Sequence, residues 1–279
     1  MERLDPRLHP HDGTVAAIYL KGRVEADQFL EPVPMQVAVS VAHMTRTADA
    51  ASLSNQLLLG ETVDCYSQRD GKAWVQARAD GYTGFVDVAA LVPACSEQRQ
   101  RVTARQSHLY PEPDFKSIPV AALPFLAEVS QDGRDGDFAR TALGYVPLQH
   151  LKPLDAEPVA IAETFLGCPY LWGGRSALGL DCSALVQLAH LAAGYDCPRD
   201  SDQQQAGFGD ALAPDAPLQR GDLVFWKGHV GIMTSPSMLL HANIHHMATA
   251  IEPLAEAEAR INATASNPIS GRRRLAGKP

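Results

Sequence analysis

The residues best placed to do chemistry are one thiol and two imidazoles. Cys182 stands where the run Tyr170-Leu-Trp-Gly-Gly and the step Leu180-Asp-Cys-Ser183 give way to Leu185, Leu188, Ala189 and Ala192. Those apolar residues recur at i, i+3, i+4 and i+7, which predicts a helix that Gly194 ends. Asp181 is then its N-cap and Cys182 lies in its first turn. Unpaired N–H groups and the positive end of the helix dipole favour a thiolate at that point. An isolated cysteine is more often a small buried apolar residue, but the polar D-C-S start and the Gly173-Gly174 turn place this one at a cleft. His229 opens a predicted strand directly after the Lys227-Gly228 turn, and His241 lies on the neighbouring strand. Antiparallel neighbours bring such side chains within reach. The chemistry this describes is nucleophilic catalysis. Cys182 attacks, His229 takes up and returns the proton, and His241 orients His229 through its other ring nitrogen.

The elements that must hold these residues follow from the pattern around them. Leu223–Trp226 and His229–Met233 read as a hairpin, Met238–Asn243 as the next strand, and Val159–Leu166 and Glu256–Ile261 as short helices. Pro198 to Gln205 reads as a polar connection. Ahead of this domain, residues 35–93 hold short β runs (Val37–Val41, Leu57–Leu59, Thr62–Tyr66, Ala73–Ala77, Gly84–Val86) separated by Gly60, Asp70-Gly71 and Asp80-Gly81. That is the pattern of a small barrel. A weaker copy over residues 94–153, with a strand through Phe125–Val129, predicts a second barrel in tandem. Residues 1–34 are expected to form an arm with one short helix within Thr14–Leu30, broken by Pro32 and Pro34. Lys152 to Pro158 is the linker to the domain 154–279.

Composition narrows the partners. Lys+Arg 24 against Asp+Glu 32 leaves a formal charge of −8, with no basic field to gather nucleic acid. Arg272-Arg273-Arg274 is expected to be a solvated tail. No apolar stretch approaches a membrane span, and the N-terminus lacks the pattern of a secretory signal. The five cysteines are odd in number and form no C-x-x-C pair, so neither a disulfide framework nor a zinc ribbon is expected. A reducing cytoplasm fits this best. His241, His245 and His246 have a spacing that imitates a metal site, but no H-E-x-x-H supports one. Neither a metal nor a cofactor is expected.

The segments Y-L-W-G-G, L-D-C-S-A-L-V, R-G-D-L-V-F-W, H-V-G-I-M and L-L-H-A-N together resemble the motif series of the NlpC-type, papain-like cysteine peptidases of cell-wall peptides. The two barrels resemble the SH3-like domains of the subgroup that acts on free murein peptides. The resemblance implies an α+β fold, in which a papain-like domain packs a cysteine-bearing helix on an antiparallel sheet behind two SH3-like barrels. It implies Cys182 as nucleophile, His229 as base and His241 as third polar residue. It implies a substrate side lined by Tyr170, Asp181 and Ser183, with Asp181 meeting the free α-amine of an N-terminal L-alanine. Because a carboxylate beside the nucleophile disfavours the thiolate, a cationic substrate group would account for its presence. Trp172 is a candidate for stacking on substrate, and Glu61 is the candidate acidic residue of the first barrel. The bond implied joins γ-D-glutamate to the following diamino acid. A second reading makes the barrels wall-binding tethers of an exported murein hydrolase, and a third keeps the thiol chemistry but has the same fold perform amidase or acyl-transfer work.

Overall fold

The computed structural model describes residues 4–95 and 99–275 of the chain. They divide into two compact units, Met1–Pro153 and Leu154–Pro279. No helix among the described residues is long and apolar enough to cross a membrane.

The N-terminal arm is not helical. Val15–Ala17 and Gln28–Leu30 pair as short parallel strands around a single 3-10 turn, Ile18–Leu20. The Asp12 carboxylate accepts the N–H groups of Thr14 and Val15 and turns the chain into the first strand. Gly22, at φ +83°, turns it out again. Val15, Ala17 and Leu20 are buried against Tyr66 and Trp74 of the first barrel, with Val24 partly buried beside them.

That barrel is a seven-stranded antiparallel sheet. Its order is Leu53–Leu58, Val41–Thr45, Thr83–Asp87, Lys72–Ala77, Thr62–Arg69, Val33–Val37, Leu91–Pro93. The expected strand Val37–Val41 is two strands meeting at a corner. Residues 38–40 leave the ladder there, with the Ala38 N–H donated to the Ala90 carbonyl and the Ser40 carbonyl accepting from Leu59. The Asp70-Gly71 turn is the tight hairpin its sequence predicts, both residues lying at positive φ. Alternation along the strands turns Val37, Met44, Leu57, Val63, Val75 and Val86 into one core.

The second barrel pairs Arg99–Arg101, Glu128–Asp135, Phe138–Thr141 and Gly144–Pro147, with a separate hairpin of Gln106–Leu109 and Ala121–Pro124. The expected strand from Phe125 begins only at Glu128, because Leu126 sits at φ +65° and turns the chain. The two barrels meet at Gly60. Leu59 belongs to the core of the second barrel, and its carbonyl accepts the Glu128 N–H at 2.8 Å. A Cβ on Gly60 would fall 2.1 Å from the Glu128 carbonyl oxygen, so only glycine permits the approach.

The second unit is α+β. Its helices are α1 (Pro158–Glu163), α2 (Cys182–Ala192), α3 (Ser201–Gly207) and α4 (Leu254–Ala265). Its six-stranded antiparallel sheet runs in the order Asp210–Ala211, Gly271–Arg274, Leu223–Trp226, His229–Met233, Met238–Asn243, Ala248–Pro253. α2 packs against α1 and the His229 strand. α4 covers the sheet face that carries Val224, Trp226, Met233 and Leu239.

Three local readings change here. The polar connection contains α3, whose capping box pairs Asp200 with Gln203. A strand follows His246, ending in Glu252 and Pro253. The arginine triplet is a sheet strand rather than a solvated tail. Arg274 is bidentate to the buried Asp222 carboxylate at 2.7 Å, and Arg273 donates to the carbonyls of Gln205, Ala206 and Gly209.

Candidate active site

Cys182 is the first residue of α2, with Asp181 as N-cap accepting the Ala184 N–H at 2.8 Å. The thiol is free and 7% exposed. The backbone N–H groups of Ser183 and of Val230, the residue after His229, act on the thiol and favour its charged form. Burial works against the thiolate that the helix terminus favours. Burial, and then the Asp181 charge, push the thiol up to about 12 against the opposing pull of these N–H groups and Arg199.

Strand register explains the imidazoles. Ile232 pairs with Leu240, so the same register sets Gly231 opposite His241 and makes His229 its diagonal neighbour on one face. Gly231 is small for a reason: a Cβ there would lie 2.6 Å from the Leu239 side chain and 3.2 Å from the His241 Cβ. With that space open, His229 Nε2 lies 2.8 Å from His241 Nδ1, and the rings are 5.1 Å apart. Trp226, directly across the hairpin, packs its ring 5.7 Å from that of His229. Burial, then the charges of His241 and Arg260, lower His229 to about 3. His241 is lowered too, chiefly by burial and against the pull of Glu252.

Burial disfavours the charged form of both the thiol and the imidazole. A thiol and an imidazole of this kind can carry out nucleophilic acyl transfer. The sulfur bonds to a carbonyl carbon as its proton passes to the imidazole, the imidazole gives that proton to the leaving amine, and water activated by the same base hydrolyses the thioester.

The remaining expected residues fall as follows. The Tyr170 phenol is half-buried and held in the uncharged form by burial and by the Cys182 and Asp181 charges, so it belongs to the site. Trp172 is 65% exposed. The Ser183 hydroxyl donates to Asp181 and accepts from Arg199 at 3.0 Å. Asp181 has a cation within the chain as well: Arg199 is bidentate to it at 2.9 and 2.8 Å and 1% exposed. The Gly173 N–H at 2.9 Å and the N-cap bond hold the same carboxylate. Glu61 is buried in the first barrel, where its carboxylate accepts the Leu58 N–H at 2.8 Å.

Arg199, Glu252 and Arg260 were not singled out by the sequence pattern. Glu252 lies 2.7 Å from His241 Nε2 and accepts from Arg260 at 2.7 and 2.5 Å. Among the described residues, His241, His246 and Glu252 bring ligand-type atoms within 4.8 Å of one another. Their donors are already used, however. His241 and Glu252 bind each other, Glu252 is clamped by a cation, and His246 bonds to Asn243.

A cysteine at a helix start, set against an antiparallel sheet that carries the imidazole, defines a papain-like thiol peptidase. Residues 167–262 match the NlpC/P60 family, and residues 44–91 match the bacterial dipeptidyl-peptidase Sh3 domain. The chain belongs to the NlpC/P60 family and is a cysteine peptidase that hydrolyses murein peptides. It is 38% identical over 220 residues to a γ-D-glutamyl-L-lysine dipeptidyl-peptidase of Bacillus subtilis, covering 68% of this chain and 72% of that protein. It is 27% identical over 222 residues to dipeptidyl-peptidase 6 of Lysinibacillus sphaericus, covering 70% and 81%. The crystal structure of an NlpC/P60 family protein from Bacillus cereus shares the fold at a TM-score of 0.74 and 20% identity, covering 88% of this chain and all of that one.

Proposed function

We propose that this peptidase cleaves the γ-D-glutamyl bond to the following diamino acid in short murein peptides with a free N-terminal L-alanine, recycling them in the cytoplasm. The observation that carries the reading is the buried Cys182 thiol at the start of α2, a helix packed against the strand that carries His229, together with the His229–His241 pair. The likeness to the γ-D-glutamyl-L-lysine dipeptidyl-peptidase of B. subtilis supports the substrate. Cys182 is the nucleophile, His229 the base and then the acid, and His241 the group that orients it. Tyr170 and Trp172 meet the peptide.

The test is mass spectrometry of digests of L-Ala-γ-D-Glu-diamino acid tripeptide and tetrapeptide, beside N-acetylated analogues and Cys182→Ala. The expected result is release of the L-Ala-D-Glu dipeptide from the unblocked peptides only, and none from the variant. Cleavage of the blocked peptides with the free ones intact would overturn the specificity.

A further inference from the structure

A carboxylate and a guanidinium stand behind the imidazole pair. We propose that Glu252, clamped by Arg260, is a positioning residue that fixes which nitrogen of His241, and through it which nitrogen of His229, carries the proton. The inference rests on the catalytic reading of His229.

Register places Glu252 where it is. His241 pairs with Ala250 and Leu239 with Glu252, so Glu252 is the diagonal neighbour of His241, as His229 is on the other side. Three adjacent strands thus carry His229, His241 and Glu252 as a row on one face, and α4 brings Arg260 to its end. Two hydrogen bonds from Arg260 and one from His241 outweigh the burial that would otherwise raise Glu252, and lower it to about 2. An ionised carboxylate only accepts. At 2.7 Å, His241 Nε2 must therefore be the protonated nitrogen, since a lone pair there would face a carboxylate oxygen. Neutral His241 then offers a lone pair at Nδ1. The partner 2.8 Å away, His229 Nε2, must be the donor. His229 is left with Nδ1 as its base, and the proton leaving the Cys182 sulfur has one place to go. Glu252 stays ionised throughout. It stabilises the imidazolium through His241 and takes no proton itself.

Other charged and titratable groups face this row. His246 Nδ1 lies 4.0 Å from the Glu252 carboxylate, and Glu256 acts on Arg260 from within α4. Cys182, Asp181, Arg199 and Tyr170 stand on the helix side. Removing one fixed negative charge destabilises every protonated state nearby, so Glu252→Gln shifts both limbs of the pH–kcat/KM profile to lower pH. Arg260→Gln removes a positive charge and shifts them the other way, by less because Arg260 is partly exposed.

The experiment combines that profile with long-range 15N–1H spectra of the histidine rings. In the wild type, His241 is expected as the Nε2-protonated tautomer. Glu252→Gln is expected to lose roughly 10–100-fold in kcat, with both limbs moved down and a mixed tautomer. Glu252→Asp is expected to restore the limbs. A Glu252→Gln profile lowered in height with its limbs unmoved would make Glu252 a mere anchor for α4 and overturn the proposal. So would an Nδ1-protonated His241 in the wild type, and this readout decides the matter without turnover. A wild type inactive on every peptide would count against the substrate reading instead, while the spectra still decide the role of Glu252.

Discussion

Two carboxylate–arginine pairs flank the nucleophile, and they do different work. Asp181–Arg199 lies at the start of α2, with its guanidinium 1% exposed; its hydrogen bonds hold the Gly173 and Ala184 N–H groups and the Ser183 hydroxyl, and its charges act on the Cys182 thiol from a distance. Glu252–Arg260 ends the imidazole row, with its guanidinium partly in solvent, and Glu252 is hydrogen-bonded to a titratable ring. The same ion-pair chemistry serves as a fixed joint in one place and as a setting for proton position in the other. What separates the tasks is the group each carboxylate is hydrogen-bonded to. Amides cannot change protonation, whereas imidazoles can.

The largest test of this contrast is Arg199→Met. It leaves Asp181 ionised among buried groups with its countercharge gone, which costs about 3–5 kcal/mol. Urea unfolding should read that loss, and Asp181→Asn/Arg199→Met should recover part of it because no buried charge is then left alone. Equal losses from Arg199→Met and Arg260→Met would break the comparison.

Acid sharpens it next. His190, buried in the last turn of α2, donates Nδ1–H to the Val186 carbonyl at 2.7 Å and is lowered by burial to about 4. Its folded form binds a proton only below that value, while the unfolded chain binds one below about 6.5. The stability that neutral His190 preserves is complete above the unfolded value and is lost as pH falls toward the folded one. This amounts to about 2–3 kcal/mol by about pH 4.5. His190→Phe, which keeps a ring against Phe208 and Tyr195, should flatten the fall in unfolding free energy between neutral pH and about pH 4.5. An unchanged slope would place the acid sensitivity elsewhere, with the imidazole row the next place to look.

Legibility in the sequence divides along the same line. Cys182, Asp181, His229 and His241 were readable because local chemistry marks them: a helix start, a glycine turn, two successive strands. Arg199 was not, since its partner lies across an irregular connection and only the folded chain joins them. The argument that a carboxylate beside a thiol needs a cation was sound, yet it could not say which cation. Glu252 and Arg260 were invisible for a related reason. The strand Ala248–Pro253 follows Met247 at φ +49°, a conformation no glycine announces there, and the meaning of Glu252 lies wholly in its register against His241. In the barrels, turn residues marked most strands, while the corner at residues 38–40 and the turn at Leu126 are set by tertiary hydrogen bonds.

Gly231→Ala tests whether the row depends on an empty position between its members. The added methyl would meet the Leu239 side chain first, which can shift, and the His241 Cβ next, which is held by Glu252. Overpacking of this kind costs about 1–3 kcal/mol. Activity should fall further than stability, because a displaced His241 no longer bonds His229. Unchanged kcat with lowered stability would show that the imidazoles tolerate the shift.

Of the two pairs, the smaller effect on stability is expected of Arg260→Met. Its guanidinium is partly solvated, and the buried Glu252 carboxylate keeps its bond to His241 while losing the two that restrain it, so the loss should stay at about 1 kcal/mol per hydrogen bond and below that of Arg199→Met. Calorimetry should register this smaller loss, and kcat should drop several-fold with KM for the tripeptide held. That split is what distinguishes the two pairs: Arg199 shows its role chiefly when the protein unfolds, and Arg260 chiefly when it turns over.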